Sequence, residues 1–164
     1  MNYFKALLTS RTHSLFLPAK WKDDIQRYVR QHQQGGSSNP EAVPFGRQLD
    51  FWALSFATAV ARGVAPLETP PAQGGHKFVD TRAVELSAEL CELLAVVALG
   101  TLGPDDEGVE DPARIIELAN QYAAAGCEEL LLRLRDPDLR LSTLDKAINF
   151  ATELVLGAQQ RRSP

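Results

Sequence analysis

The stretch Ile115–Leu134, IIELANQYAAAGCEELLLRL, decides the fold class of this chain. Its apolar residues recur at helical spacing, and its second half is dense in leucine. Tyr122 is followed by three alanines, which let a neighbouring backbone approach closely, and then by Gly126, which can kink or cap a helix. The stretch contains no obvious catalytic group. It therefore predicts a packed helical protein without indicating its chemistry.

Further helices are predicted on both sides of this stretch from apolar periodicity and from capping residues. Asp111 with Pro112 marks a helix start, and Gly63 marks a helix end. The short apolar run Leu15-Phe16-Leu17 predicts a short strand or an extended lead-in. The predicted helices cover roughly residues 18–31, 46–62, 82–99, 112–135 and 143–159, the first starting at Pro18 or Ala19 and the third capped by Asp80 or Thr81.

These segments predict an all-α fold, an irregular bundle of five to six helices with little or no β-strand. The third helix is apolar nearly all round after Leu86, which is typical of a central helix. We therefore expect the second and third helices to form the centre. In that arrangement Trp52 and Phe56 pack against the side of the third helix that carries Leu90, Leu94 and Val97.

Length and composition indicate one soluble domain. The 164 residues, 18.0 kDa, are enough for a single core spanning 1–164, with flexible loops near 33–44, 66–78 and 103–111. No apolar run reaches the roughly 20 residues of a membrane span, and no secretory signal is recognisable. We therefore expect a cytoplasmic protein with no membrane partner. Cys91 and Cys127 lie in helical patterns and are interpreted as buried free thiols.

The motifs of common catalytic and metal sites are missing from the sequence: it has no GxxxxGK[ST], GxGxxG, HExxH or CxxC. Glu85, Glu89 and Glu92 have the spacing of one helical face and could hold a metal, but a solvated acidic stripe is the commoner use of such a pattern. The acidic loop 105–111 lacks the spacing of a calcium-binding EF-hand. We predict no catalytic, cofactor-binding or metal-binding residues, and no enzymatic activity.

The charge of the chain is unevenly distributed. Residues 1–48 carry seven Lys/Arg and three acids, whereas the rest carries 10 Lys/Arg and 18 acids. The first predicted helix interleaves basic residues with Trp21 and Tyr28, a pattern seen in nucleic-acid-binding helices and in ordinary amphipathic helices alike. The candidate nucleic-acid-binding residues are Lys20, Lys22, Arg27 and Arg30.

A partner interface is predicted from the leucine cluster near the end of the fourth helix. Four leucines in five positions cannot all face one core from a single helix, so some apolar surface should remain. The basic N-terminal part of one copy, residues 1–48, could also contact the acidic remainder of another copy, so a homo-oligomer is a candidate assembly. The candidate interface residues are Leu130, Leu131, Leu132 and Leu134.

The order of these features resembles small proteins associated with bacterial Dnd (DNA phosphorothioation) defence systems. The residues that carry the resemblance are LFLPAKWKDDIQRYV at 15–29, FGRQLDFW at 45–52, an alanine-rich stretch, Gly63, Pro66-Leu67, and Tyr122–Gly126 followed by leucines. The chain departs from the pattern at Arg47 and Gln48, where lysines are expected, and in the alanines that replace a later Asn-Gly. The resemblance implies an accessory subunit and no catalytic residues.

The leading hypothesis is a non-enzymatic accessory or adaptor subunit of a bacterial anti-phage or DNA-modification defence system. It would act by binding a larger ATPase, nuclease or helicase partner, and it would need no cofactor. The alternative is a DNA-binding regulator that uses the basic first helix. A third hypothesis is a small metal-dependent enzyme that uses the face of Glu85, Glu89 and Glu92.

Overall fold

The structure, a computed structural model, describes residues 3–29, 44–68 and 73–136. Short 3-10 turns at Ala19–Trp21 and Glu107–Val109 precede α2 and α5. None of the described helices is both long enough and apolar enough to cross a membrane. In chain order the elements are α1 (Tyr3–Thr9), β1 (Ser14–Pro18), α2 (Lys22–Tyr28), α3 (Gln48–Ala61), β2 (Gly75–Asp80), α4 (Ala88–Leu102) and α5 (Pro112–Arg135).

The long helix α5 begins where the sequence predicts. The Asp111 carboxylate accepts a hydrogen bond from the backbone N–H of Ala113 at 3.0 Å, and Pro112 occupies the first turn, where its missing N–H costs nothing. The helix runs unbroken through Gly126 to Arg135. Gly126 therefore neither ends nor restarts the helix, and its lack of a side chain serves packing instead.

The closest helix packing in the described chain joins α3 to α5. Gly126 lies against the backbone carbonyl of Ser55, and a Cβ atom at position 126 would collide with that oxygen. Ala59 and Ala123 are also completely buried, so small residues on both helices allow the close approach. Trp52 and Phe56 stack in the core, and the Phe56 ring meets the edge of Tyr122.

The described part of the chain is mostly helical but not strictly all-α, because β1 and β2 form a small antiparallel sheet. The predicted strand at Leu15-Phe16-Leu17 is confirmed as β1, and both leucines are buried. The prediction of a loop through residues 66–78 was wrong from Gly75 onward, where β2 begins. The sequence GHKFVD of β2 has no clear alternation, so its strand conformation depends on pairing with β1, about 60 residues away.

The predicted central pair of helices was also wrong. α3 packs on α5, whereas α4 packs on α1 and on α5 and lies at the edge of the core. α4 also starts later than predicted, because Ser87, not Asp80 or Thr81, accepts the capping hydrogen bond from the N–H of Leu90. The helix continues to Leu102, three residues beyond the predicted end near 99, and is followed by Gly103, whose φ of 95° is a conformation that favours glycine.

Two sequence predictions lie outside the described residues. They are the last helix, 143–159, and the loop at 33–43. The predicted loop 103–111 lies within the described part of the chain and contains the 3-10 turn Glu107–Val109.

Candidate functional site

The outer face of α4 carries exposed apolar residues that the core does not explain. One side of the helix carries the buried residues Cys91, Leu94, Ala95 and Ala98, which face α1 and α5. The opposite side carries Glu89 and Glu92 in its first half and two exposed apolar residues in its second half: Val96 is 61% exposed and Leu99 is 45% exposed. Two large apolar side chains exposed next to each other on one helix face mark a candidate interaction surface.

Four residues of α4 follow the spacing of a helix-packing seam: Glu89, Glu92, Val96 and Leu99 occur at i, i+3, i+7 and i+10, the 3-4 alternation by which one helix packs along another. Glu89, Val96 and Leu99 are exposed, and Glu92 is half-buried. Gly100, next to this seam, has open space around it. We call these four residues the α4 seam.

Negative charge surrounds the α4 seam. Residues 84–113 carry eight of the 21 acids of the chain and no Lys, Arg or His. Glu89 is exposed in the first turn of α4, and Asp105, Glu107 and Glu110 are exposed in the loop that follows the helix. The exposed apolar surface therefore lies between an acidic residue at one end and an acidic loop at the other.

The acidic loop is held in a defined shape. The Asp106 carboxylate accepts a hydrogen bond from the N–H of Gly108 at 2.7 Å and caps the 3-10 turn, and Asp111 caps α5. The hydroxyls of Thr101 and Tyr122 lie 3.0 Å apart and link the end of α4 to α5. These contacts fix the position of the loop carboxylates relative to the seam.

The predicted nucleic-acid-binding residues lie beside acids. Lys20 is 3.9 Å from Glu128, and Arg27 is 3.8 Å from Asp24. Lys22 is exposed in the first turn of α2, and Arg30 lies outside the described residues. The structure thus places Lys20, Lys22 and Arg27 on one short segment, but acids accompany two of them.

Trp21 anchors this basic segment to the end of α5. The Lys20 ammonium lies 5.0 Å from the centre of its ring, and the Arg135 guanidinium lies 5.4 Å from it. Arg135 also pairs with Asp24 at 3.1 Å. These contacts explain the aromatic residue among the basic ones as part of the packing between α2 and α5.

The four leucines of the predicted interface separate into two groups. Leu130, Leu131 and Leu134 are buried in the core, so a partner cannot reach them while the domain is folded. Leu132 is 55% exposed, which agrees with the expectation that the four cannot all face one core. Within the described chain, only Leu132 of this set is available for an interface.

The predicted acidic face of the third helix is not assembled as expected. Glu85 precedes the Ser87 cap, so it lies outside α4, and its carboxylate is 3.5 Å from Lys5. Across 3–29, 44–68 and 73–136, no group of three or more His, Cys, Asp or Glu side chains is arranged to hold a metal ion. Glu85 therefore lies in the loop before α4, whereas Glu89 and Glu92 lie on the helix, so the three carboxylates do not share one helical face.

Both cysteines are free and buried, as predicted. Burial raises the pKa of the Cys91 thiol to about 11 and that of Cys127 to about 12, because a buried thiolate loses its hydration. Thiols with such pKa values are poor nucleophiles at neutral pH.

The α4 seam was missed by sequence reasoning, although its signal is present. Glu89 and Glu92 were interpreted, together with Glu85, as a solvated acidic stripe with a metal face as the alternative, and Val96 and Leu99 were placed on a central helix. The 3-4 spacing that joins Glu89, Glu92, Val96 and Leu99 was visible in the sequence. Which side of an all-apolar helix meets the core, however, depends on contacts with α1 and α5.

Comparison with protein-family models, with curated proteins and with solved structures gave no significant match to this chain.

Proposed function

We propose that this protein is a non-enzymatic adaptor that binds a larger protein through the α4 seam. The observation that carries the proposal is the exposure of Val96 and Leu99 on a helix whose other side is in the core. Burying these two side chains against a partner would remove apolar surface from water, which is the main source of favourable free energy in protein association. The rigid attachment of α4 to α1 and α5 supports this role because the seam is already in a helical conformation before a partner binds.

The resemblance to Dnd-associated proteins supports a more specific proposal. The partner would be an ATPase, nuclease or helicase of a bacterial DNA-modification or anti-phage defence system. In such a complex this chain would hold the larger protein and would contribute no reacting group.

Site-specific photo-crosslinking in the native host tests the proposal. A photoreactive phenylalanine replaces Val96 in one variant, and in a control variant it replaces the exposed Ala61 at the end of α3. We expect a discrete crosslink to a larger protein from position 96 and none to the same protein from position 61. A position-96 crosslink only to residues 137–164 of the same chain, or only to a second copy, would contradict the proposal.

The alternative, a DNA-binding regulator, has less support from the structure because Asp24 accompanies Arg27 of α2 and Glu128 accompanies Lys20 of the preceding 3-10 turn. If α2 does bind duplex DNA, affinity should fall with salt with a slope of about −0.9 per phosphate contacted. Changing Lys20, Lys22, Arg27 and Arg30 together to Gln should then abolish binding. Tight binding by the unmodified protein at physiological salt would reverse the order of the two proposals. The metal-dependent enzyme remains the last of the three, because Glu85 is not on α4.

A further inference from the structure

We infer that the partner of the α4 seam presents a basic amphipathic helix, with apolar residues at 3-4 spacing flanked by Lys or Arg. This inference rests on the proposed function and specifies the chemistry of the partner. Two independent observations carry it: the exposure of Val96 and Leu99, three residues apart on one face of α4, and the sign of the charge around them.

The geometry of the seam favours a helix as its occupant. Val96 and Leu99 are exposed on one helix, and the neighbouring Gly100 has open space around it. A second helix packed along α4 can insert side chains between residues three and four apart, as helices do in coiled coils. An extended strand would find no unpaired sheet edge on this surface, because the backbone groups of α4 are bonded within the helix.

The charge around the seam selects a basic occupant. Glu89 lies at the start of the seam, and Asp105, Asp106 and Glu107 follow its end. The C-terminal end of α4 adds partial negative charge from its free carbonyl groups. Lys5 pairs with Glu85 before the seam, and the Arg114 side chain lies against Gly108 in the loop after it. The eight acids of residues 84–113 outnumber these two cations, so a partner with acidic flanks would meet net repulsion at both ends of the seam.

The same charge argues against other occupants. In a symmetric pair of α4 helices, acids of one copy would face acids of the other in either a parallel or an antiparallel arrangement. Phosphates of nucleic acids and of anionic lipids would also be repelled. Helix α2 of a second copy is unsuitable because its two basic residues are matched by Asp23 and Asp24 and its apolar residue Ile25 is buried in its own core.

Binding of two designed peptides to the full chain tests this inference. Both peptides are helices of about three heptads with leucine at the a and d positions, one with lysine and the other with glutamate at e and g. Fluorescence anisotropy measures their affinities, and sedimentation of the protein alone reports whether it self-associates. We expect the lysine peptide to bind, the glutamate peptide not to bind, and the affinity to fall between about 0.05 M and about 0.5 M NaCl because salt screens the charges.

Matched variants assign the binding to the seam. Val96→Glu together with Leu99→Gln should abolish binding of the lysine peptide. Glu89→Lys should weaken it roughly fivefold at low salt, whereas Asp23→Lys, the same charge change in the first turn of α2, should leave it unchanged. Circular dichroism melting shows whether each variant remains folded. If the Val96→Glu, Leu99→Gln double variant is unfolded, the single variant Leu99→Gln is used for the binding test in its place.

The outcomes separate this inference from the proposed function. If position 96 crosslinks a larger protein but the lysine peptide binds no better than the glutamate peptide, the adaptor role stands and the basic class of partner is wrong. Equal weakening by Glu89→Lys and Asp23→Lys would also overturn the inference. If the protein self-associates and Val96→Glu abolishes this self-association, the occupant of the seam is a second copy of the chain and the inference of a basic partner helix is wrong.

Discussion

The indole N–H of Trp52 donates a hydrogen bond to the side-chain oxygen of Asn120, 3.1 Å away in the core. The same oxygen accepts from the backbone N–H of Phe16 at 3.0 Å, and the amide nitrogen of Asn120 donates to the carbonyl of Ser14, also at 3.0 Å. One buried side chain on α5 thus connects α3 and the sheet strand β1. Because Asn120 is itself buried and bonds groups on both neighbouring elements, it fixes how α3, α5 and β1 fit together.

Replacing Asn120 with Ala should lower the free energy of unfolding by about 3–5 kcal/mol, because three polar groups on α3 and β1 lose their hydrogen-bond partner. Urea unfolding measures the change. Trp52→Phe removes only one donor and keeps an aromatic ring, so it should cost less, about 1–2 kcal/mol. An Asn120→Ala variant as stable as the unmodified protein would contradict this role of Asn120.

Two glycines in helices should respond to alanine in opposite directions. Gly126→Ala should destabilise the protein by at least about 2 kcal/mol, since the new methyl group collides with the carbonyl of Ser55 on α3. Gly100→Ala on α4 has open space around it and should stabilise by about 0.5–1 kcal/mol through helix propensity. Thermal and urea unfolding measure the stability of both variants. A change in the free energy of unfolding with the same sign in both would contradict the close packing of α3 on α5.

Stability should depend on the protonation of His13. Burial lowers the pKa of this imidazole, opposed by the nearby negative charge of Asp111 and assisted by the positive charge of Arg11. Because the pKa is lower in the folded state than in the unfolded state, the contribution is present above about pH 6.5 and is lost as pH falls through the folded-state pKa. The urea midpoint of the unmodified protein should fall between pH 7.5 and pH 5 more steeply than that of His13→Gln, which cannot titrate.

Both cysteines should be unreactive in the folded protein. The pKa values of about 11 and about 12 keep Cys91 and Cys127 protonated at pH 8, and burial blocks access. A thiol reagent such as dithionitrobenzoate should therefore react only after unfolding, at a rate that rises with urea. Because these pKa values are raised on folding, their contribution to stability is present below the unfolded value of about 8.5 and is lost as pH rises above it. Fast labelling without denaturant would contradict the burial of the thiols.

Neighbouring leucines on α5 should differ sharply when changed to Glu. Leu132→Glu should keep the fold within about 1 kcal/mol because the side chain is exposed, whereas Leu131→Glu should cost about 4 kcal/mol or more because it places a charge in the core. Thermal melting compares the two. If Leu132 also serves an interface between copies, Leu132→Glu should lower the mass seen by analytical ultracentrifugation while leaving the melting temperature nearly unchanged.

The sequence by itself determined where several helices lie. Asp111 and Pro112 define the start of α5, and Gly63, at a φ of 63°, follows the end of α3, because caps and left-handed glycines act over a few residues. The strand at Leu15-Phe16-Leu17 and the burial of both cysteines were also readable, since short apolar runs and helical periodicity are local signals.

Only the tertiary structure decided which helices meet and which surface remains exposed. Periodicity shows that a helix has an apolar face, but it does not name the partner of that face. The contact of Gly126 with Ser55 selects α5 as the neighbour of α3, and pairing with β1 makes a strand of Gly75–Asp80. For α4, apolar on both sides, the sequence could not distinguish core from surface. Packing on α1 and α5 buries Cys91 and Leu94 and leaves Val96 and Leu99 exposed.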